Sequence, residues 1–276
     1  MKTKLASLVA SLSLLTTLSA CGSPPSPDPA STSAAGESTS AIESAPEFTY
    51  VAIDEALTGY ELTTLNSGTK THVGALVLSA VRGEAKSLTE ALATPGTVAA
   101  RGSFRGSDEF AVEALYRALP DGHPVSTPTY YIARVGAGAH DTATEVNVGG
   151  ETPFDDLDVS AALVPFETAS WVTGRVLEGG ALVAGSIASG VFRAGVVFVR
   201  LPDDVRCDEP TETCEPGHVA TFTRDANRCL VAAGCERRAA CPLDIIACEP
   251  GYVRTSWPGA HGCHAFACDP AFDPAP

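Results

Sequence analysis

Leu65-Asn66-Ser67-Gly68 returns 81 positions later (147 − 66) as Val146-Asn147-Val148-Gly149, and this recurrence governs how the chain is read. Asn-x-Gly marks a tight turn, because Asn and Gly enter the left-handed backbone region at least cost. At the same offset Tyr50 meets Tyr131, Thr71 meets Thr152, Leu76 meets Leu157, Ser79 meets Ser160 and Ala80 meets Ala161. After small gaps Gly102-Ser103 meets Gly185-Ser186, Phe110 meets Phe192, and Leu119-Pro120-Asp121 meets Leu201-Pro202-Asp203. Matches that stay collinear predict an internal repeat, with copies over residues 47–121 and 128–203.

Each copy reads mostly as strand. Tyr50-Val51-Ala52-Ile53 and Tyr130-Tyr131-Ile132-Ala133 open the copies with β-formers. Leu76 to Val81 and Leu157 to Ala162 alternate in character, which predicts a strand with one buried face. Ser87-Leu88-Thr89-Glu90 is a capping-box pattern for a helix ended by Pro95-Gly96; its counterpart runs from Phe166 to Leu177 and stops at Gly179-Gly180. Further strands fall near Thr97–Phe104, Phe110–Ala118, Leu182–Ile187 and Ala194–Leu201. The fold class expected is α+β, mainly β: two tandem ββ(β)αββ repeats followed by two small disulfide-rich modules.

The tail is also written twice. Cys207-x6-Cys214-x14-Cys229-x5-Cys235 is followed by Cys241-x6-Cys248-x14-Cys263-x4-Cys268, and Cys214-Glu-Pro-Gly-His-Val219 aligns with Cys248-Glu-Pro-Gly-Tyr-Val253. Modules of this size (205–238 and 239–270) bury too little to stay folded without cross-links. Two bridges inside each module are expected, in any of the three pairings that four cysteines allow.

The ninth cysteine, Cys21, stands apart at the end of an apolar leader. Lys2 and Lys4 give a basic start, Leu5 to Leu18 is apolar, and small residues close the stretch, so residues 1–20 read as an export signal. The apolar part is shorter than the roughly 20 residues a membrane-spanning helix needs. Leu18-Ser19-Ala20-Cys21 resembles the lipobox of bacterial lipoproteins, which implies acylation of Cys21 (palmitate among the chains) and cleavage before it. Several acyl chains anchor stably where one would not. By the sorting rule known for such proteins, Gly22 directs the protein to the outer membrane. Residues 21–46, rich in Pro and Ser and without an aromatic residue, read as the lipidated cysteine and a disordered tether.

The formal charge of −15 becomes −17 once Lys2 and Lys4 leave with the signal (−15 − 2). Such a chain lacks the basic footprint that nucleic acid or anionic lipid requires, so no nucleic-acid partner is expected.

The aromatic opening strand, Leu65-Asn66-x-Gly68, the apolar strand ending in Ser79-Ala80, Arg101-Gly102-x-Phe104 and Ala114-Leu-Tyr-Arg-Ala118 are together similar to an uncharacterised domain family. That family occurs in lipoproteins of Gram-negative bacteria, often beside cysteine-rich tails with Cys-x-Pro-Gly-Tyr segments such as Cys248-Glu-Pro-Gly-Tyr252. The resemblance implies an envelope lipoprotein and supplies no catalytic residue.

Other motifs have plainer readings than the chemistry they suggest. His261, Cys263 and His264 could join the cysteine clusters around zinc, but the spacings lack close Cys-x2–4-Cys pairs. Asp155, Asp156 and Asp158, with Asp203 and Asp204, lack calcium-loop spacing; Asp156 and Asp158 would share a solvated face if 154–163 were a strand. Gly185-Ser186-Ile-Ala-Ser189-Gly190 is not a nucleophile elbow, His72, His123 and His140 lack a pattern around them, and Gly136-Ala-Gly138 is not a dinucleotide loop. Tyr252 and Trp257, with Phe266 and Phe272, form an aromatic set that a small module cannot wholly bury; Tyr252 and Trp257 read either as a candidate binding surface or as the module's own minimal core. No catalytic residue, metal or cofactor is assigned. The expectation is a lipid-anchored cell-envelope lipoprotein, on the periplasmic or cell-surface side, with a non-enzymatic binding or structural role. Its partners would be the membrane, through lipid on Cys21, and an envelope protein or glycan. The alternatives are an envelope hydrolase with a Ser/His/Asp site on loops and a protease-inhibitor-like role for the cysteine modules.

Overall fold

The computed structural model describes residues 48–79, 81, 88, 92, 94–120, 128–136, 138, 140–162, 164–201, 207–242 and 246–273. The leader, Cys21 and the tether lie outside the described residues, as do Ser87 and Glu90 of the capping-box pattern, His123, Asp203 and Asp204. The first half contributes β1 (Thr49–Glu55), β2 (Tyr60–Thr64), β3 (Lys70–Val73), β4 (Ala75–Val77), β5 (Val98–Arg105) and β6 (Glu109–Ala118). The second half contributes β7 (Thr129–Arg134), β8 (Asp141–Glu145), β9 (Glu151–Phe154), β10 (Asp156–Asp158), α1 (Phe166–Leu177), β11 (Ala181–Ala188) and β12 (Val191–Leu201). Leu88 and Leu92 are helical and buried in the first half.

All twelve strands form one sheet in the order β3-β2-β1-β5-β6-β12-β11-β7-β8-β9, with β4 parallel to β6 and β10 parallel to β12. From the two edges the order runs β3-β2-β1-β5 and β9-β8-β7-β11 to the central antiparallel pair β6–β12. There Phe198 faces Ala118, Val199 faces Arg117 and Arg200 faces Tyr116.

The two Asn turns join the halves. Asn66 and Asn147 adopt φ of 64° and 62°, as the Asn-x-Gly signal requires. The Tyr50 N–H donates to Asn147 Oδ1 (2.8 Å), and Asn147 Nδ2 donates to the carbonyls of Tyr50 (2.7 Å) and Leu65 (3.0 Å). Reciprocally, the Tyr130 N–H donates to Asn66 Oδ1 (2.8 Å), and Asn66 Nδ2 donates to the carbonyls of Tyr130 (3.0 Å) and Val146 (2.8 Å). Each amide therefore uses its oxygen and both hydrogens on backbone groups of the opposite half.

Three hydrophobic clusters follow. One belongs to the first half, around Val51, Leu62, Phe110 and Leu115; another belongs mainly to the second, around Phe154, Trp171, Phe192 and Val197. The third is shared: Leu65, Ala114, Tyr116, Ile132, Val146, Val196 and Phe198 come from both halves. A β-bulge in each half lets the long strands serve two clusters. Glu113 is the extra residue opposite Arg101/Gly102, and Gly195 is the extra residue opposite Ala184/Gly185. One inserted residue reverses the alternation, so Phe110 and Val112 lie in the same cluster as Leu115 rather than Ala114. Gly102 and Gly185 sit beside these bulges for a steric reason. A Cβ there would lie 2.1 Å from the Ala111 carbonyl oxygen and 2.2 Å from that of Arg193, with the Phe110 and Phe192 rings also within reach.

The second-half helix spans the expected residues and ends where expected. The Gly180 N–H bonds the Arg175 carbonyl (2.9 Å) and the Gly179 N–H that of Val176 (3.3 Å), with Gly179 at φ 74°. That is a Schellman ending, and it needs glycine at the left-handed position.

Two expectations are corrected. The alternating stretches 76–81 and 157–162 are not strands throughout: pairing stops at Val77 and Asp158, and a 3-10 turn occupies Ser160–Ala162. Asp158 accepts bonds from the Ser160 N–H and hydroxyl, which favours the local turn over a ladder. Asp156 and Asp158 are thus not two members of one long solvated strand face. Tyr50 and Tyr131, aligned by identity, also lie in different surroundings. Tyr50 and Tyr130 make the corresponding bonds and pack on the shared cluster, whereas Tyr131 packs on the second-half cluster.

Burial holds the Tyr116 hydroxyl up at a pKa of about 12 and raises that of Tyr130 as well. Folded pKa values above the unfolded value mean stability that is complete below pH ~10 and lost as pH rises towards the folded value. Thermal melts between pH 8 and 11.5 are expected to show a falling midpoint, and Tyr116→Phe is expected to flatten that fall.

Candidate binding site in the disulfide tail and the adjoining cleft

Each tail module is a two-stranded hairpin held by two bridges. Module one has β13 (His218–Arg224) and β14 (Leu230–Arg237); module two has β15 (Tyr252–Pro258) and β16 (His264–Pro270). The bridges are Cys207–Cys229, Cys214–Cys235, Cys241–Cys263 and Cys248–Cys268, so first pairs with third and second with fourth in both modules. This is the in-module pairing expected, with its connectivity now defined. Glu212, Cys214 and Cys235 lie close enough to hold an ion, yet the two sulfurs are bonded to each other and offer no thiolate.

A buried charge network joins the modules to the β body. Asp269 is fully buried and accepts from Arg224 Nη2 (2.9 Å), with Arg228 Nη1 at 3.7 Å. Thr255 donates its hydroxyl to the same carboxylate, and Arg228 Nη2 pairs with Asp273 at 2.8 Å. The Arg228 guanidinium lies 3.8 Å from the centroid of Trp171, the buried indole of α1. Arg175 of the same helix donates to Asn227 Oδ1 (3.0 Å). A buried carboxylate is tolerable only when paired and hydrogen-bonded; two guanidiniums and a hydroxyl meet that need.

Of the two readings of the aromatic set, burial favours the module core over an exposed surface. Tyr252 is 8% exposed and belongs to the module core. Trp257 is half-buried beneath the Arg224 guanidinium at 5.2 Å. Phe272 packs on the body and under Arg117 at 4.6 Å. Four cystines and a salt-bridge network let the modules bury rings that their size alone could not.

Where module two meets the body, a cleft of about 580 Å³ opens among Pro95, Arg117, Pro120, Tyr130, Phe198 and Phe272. Gly251 makes that contact possible: a Cβ there would lie 2.5 Å from the Pro120 ring.

The remaining candidates are dispersed. His140 contacts Asp155 on the surface, and His72 lies on edge strand β3. Ser186 lies on β11, and Ser189-Gly190 forms the turn to β12 with φ of 52° and 76°. The Asp155, Asp156 and Asp158 carboxylates do not converge: Asp155 meets His140, Asp158 meets Ser160, and Asp156 is exposed. Gly136 belongs to the β7–β8 turn, its N–H bonded to Asp141 Oδ1 (3.1 Å).

Arg224, Arg228, Asp269 and Asp273 escaped the sequence reading. Arg228 and Asp269 each adjoin a cysteine, in Arg228-Cys229 and Cys268-Asp269, whereas Arg224 and Asp273 carry no such signal.

Over 180 residues the chain is 30% identical to an uncharacterized protein of Dictyostelium discoideum; the match covers 59% of this chain and 62% of that protein. No family model and no solved structure matches the chain.

Asp269→Ala is expected to destabilise the protein by about 3–5 kcal/mol, because it takes the only carboxylate partner of the buried Arg224 guanidinium among the described residues and leaves Arg228 paired with Asp273. Arg228→Met, which keeps apolar contact with Trp171 and leaves Asp269 its bond from Arg224, is expected to cost less. Urea unfolding at pH 7 measures both.

Proposed function

We propose that this chain is a lipid-anchored cell-envelope lipoprotein with a non-enzymatic binding or structural role. In this reading acyl chains on Cys21 hold it in the outer membrane, residues 22–46 form the tether, and the β body is a rigid mount for the disulfide tail. The observation that carries it is the closure of all eight tail cysteines into four in-module bridges. Bridges of this density suit an oxidising compartment, and the leader ending at Cys21 supplies the route there. The partners are the membrane, through that lipid, and an envelope protein or glycan.

The β body is read as one unit duplicated in tandem. Support comes from the corresponding strand order and the reciprocal Asn bonds. An exchange of residue types adds to it. Gly74 lies against the Asp108 carboxylate in the first half, and Gly190 lies against that of Asp155 in the second. Gly and Asp have traded places between the two connecting turns while keeping their contact, as a duplicated site does when both sides of it change together.

The hydrolase reading retains one supporting observation, the His140–Asp155 contact. Loss of a hydrolytic activity in His140→Ala would favour it over the non-enzymatic role.

Mass spectrometry of the full chain purified from the membranes of a Gram-negative host is expected to give an N-terminus at Cys21 carrying acyl chains. It is also expected to give eight cysteines that alkylate only after reduction. An unmodified Cys21 would remove the anchor, and eight free thiols would remove the compartment.

A further inference from the structure

We propose that Cys235-Glu236-Arg237-Arg238-Ala239-Ala240-Cys241, the segment joining the two modules, is a substrate-like loop that docks in the cleft of a serine endopeptidase with an acidic specificity pocket. Arg238 is the residue that enters the pocket. The assignment rests on the tail's binding role proposed above and names the class of protein it binds.

The segment has the chemistry such an enzyme reads. Two adjacent arginines occur in a chain of formal charge −15, and both are exposed, as are Ala239 and Ala240. Neither arginine forms an ion pair among the described residues. An acidic pocket selects an arginyl side chain on the residue before the bond to be cut. The flanking backbone pairs with the enzyme as an added strand.

It also has the shape. β14 ends at Arg237, and residues 238–242 continue without turn or bend. Cystines clamp both ends, Cys214–Cys235 on one side and Cys241–Cys263 on the other. Behind the loop, the Ala260–Gly262 turn of module two is its support. The His261 N–H donates to Glu236 Oε2 (2.7 Å), and the Ala239 N–H points inward to the His261 carbonyl (3.4 Å). Successive N–H groups of an unbent segment alternate in direction, so those of Arg238 and Ala240 point away from the support, towards an incoming enzyme. Gly262 lets the turn sit close: a Cβ there would lie 2.7 Å from the Val219 side chain. A loop already held in its bound form loses little conformational freedom on binding.

The same scaffold sets the outcome of cleavage. Attack by the enzyme's serine hydroxyl on the Arg238 carbonyl breaks the Arg238–Ala239 bond, leaving an ester on Arg238 and a free amine on Ala239; water would then hydrolyse the ester to a carboxylate and release the serine. The new ends stay together, because Cys235 belongs to module one, Cys241 to module two, and the Arg224–Asp269 and Arg228–Asp269 pairs hold the modules together. The Ala239 amine, held beside the acyl-enzyme, attacks the ester before water does, which restores the peptide bond and returns the serine its hydroxyl. The loop therefore inhibits rather than being consumed.

The full chain, purified in detergent, is titrated against trypsin with a chromogenic arginyl substrate as readout. Inhibition saturating at one chain per enzyme is expected. Arg238→Ala is expected to weaken it at least about 100-fold, whereas Arg238→Lys and Arg237→Ala each change it by less than about tenfold. Reduction of the cystines is expected to turn the loop into a substrate cut at Arg238–Ala239. Each variant is first checked for four intact bridges by mass. Three results overturn the proposal: no inhibition at about 10 µM chain, rapid cutting of the oxidised loop, or Arg238→Ala inhibiting like the parent. A failure here with Cys21 acylated removes the loop's role and leaves the anchor standing.

Discussion

Two asparagine side chains hold this protein's β body together. Asn66 bonds the backbone of Tyr130 and Val146, and Asn147 bonds the backbone of Tyr50 and Leu65, so each half completes the first strand of the other. Without these bonds the Tyr50 and Tyr130 amides would lose their partners, and the part-buried Tyr130 amide would be left unpaired beside the shared cluster at a cost of about 1–3 kcal/mol. The positive φ that both residues adopt is what turns their side chains across the boundary. The shared cluster around Leu65, Tyr116, Val146 and Phe198 forms beneath that exchange, and the β6–β12 pairing continues it through the middle of the sheet.

The tail depends on the body in turn. Four cystines fold the hairpins, but orientation comes from Arg228 seated on Trp171, Gly251 against Pro120 and Phe272 under Arg117. Trp171 is buried because α1 lays it into the second-half cluster. A chain of contacts thus runs from the amphipathic helix through one guanidinium to Asp269, and from there to both modules. It is this seating that holds the 235–241 segment outward with its ends fixed.

Much of the architecture was legible in the residues, and the exceptions share a cause. Asn-x-Gly announced its turns, Gly179-Gly180 announced the end of α1, and the cysteine spacing announced bridges confined to each module. All of these are local signals, with the physical reason carried by the residue itself. The Asn turns could be seen, but not that their side chains bond the other half, because no local pattern encodes a partner 64 to 97 residues away. The alternation over 157–162 suggested a longer strand, and one aspartate–serine contact was enough to end it. Tyr50 aligned by identity with Tyr131, yet it is Tyr130 that donates to the opposite asparagine as Tyr50 does, and a one-residue slip reverses every face. Tyr252 read either as surface or as the module's own core, and the buried Arg224–Asp269 pair of the same tail is made of residues which sequence patterns assign to the surface.

Amide hydrogen exchange at Tyr50 and Tyr130 tests the reciprocal lock most directly. The lock predicts that in the parent protein both amides exchange only with global unfolding. It also predicts that Asn66→Gly, which keeps the turn but removes the side chain, opens Tyr130 while Tyr50 stays protected, and that Asn147→Gly does the reverse. Exchange of both amides in the parent at the rate of open loop residues, or an identical pattern in the two variants, would contradict it.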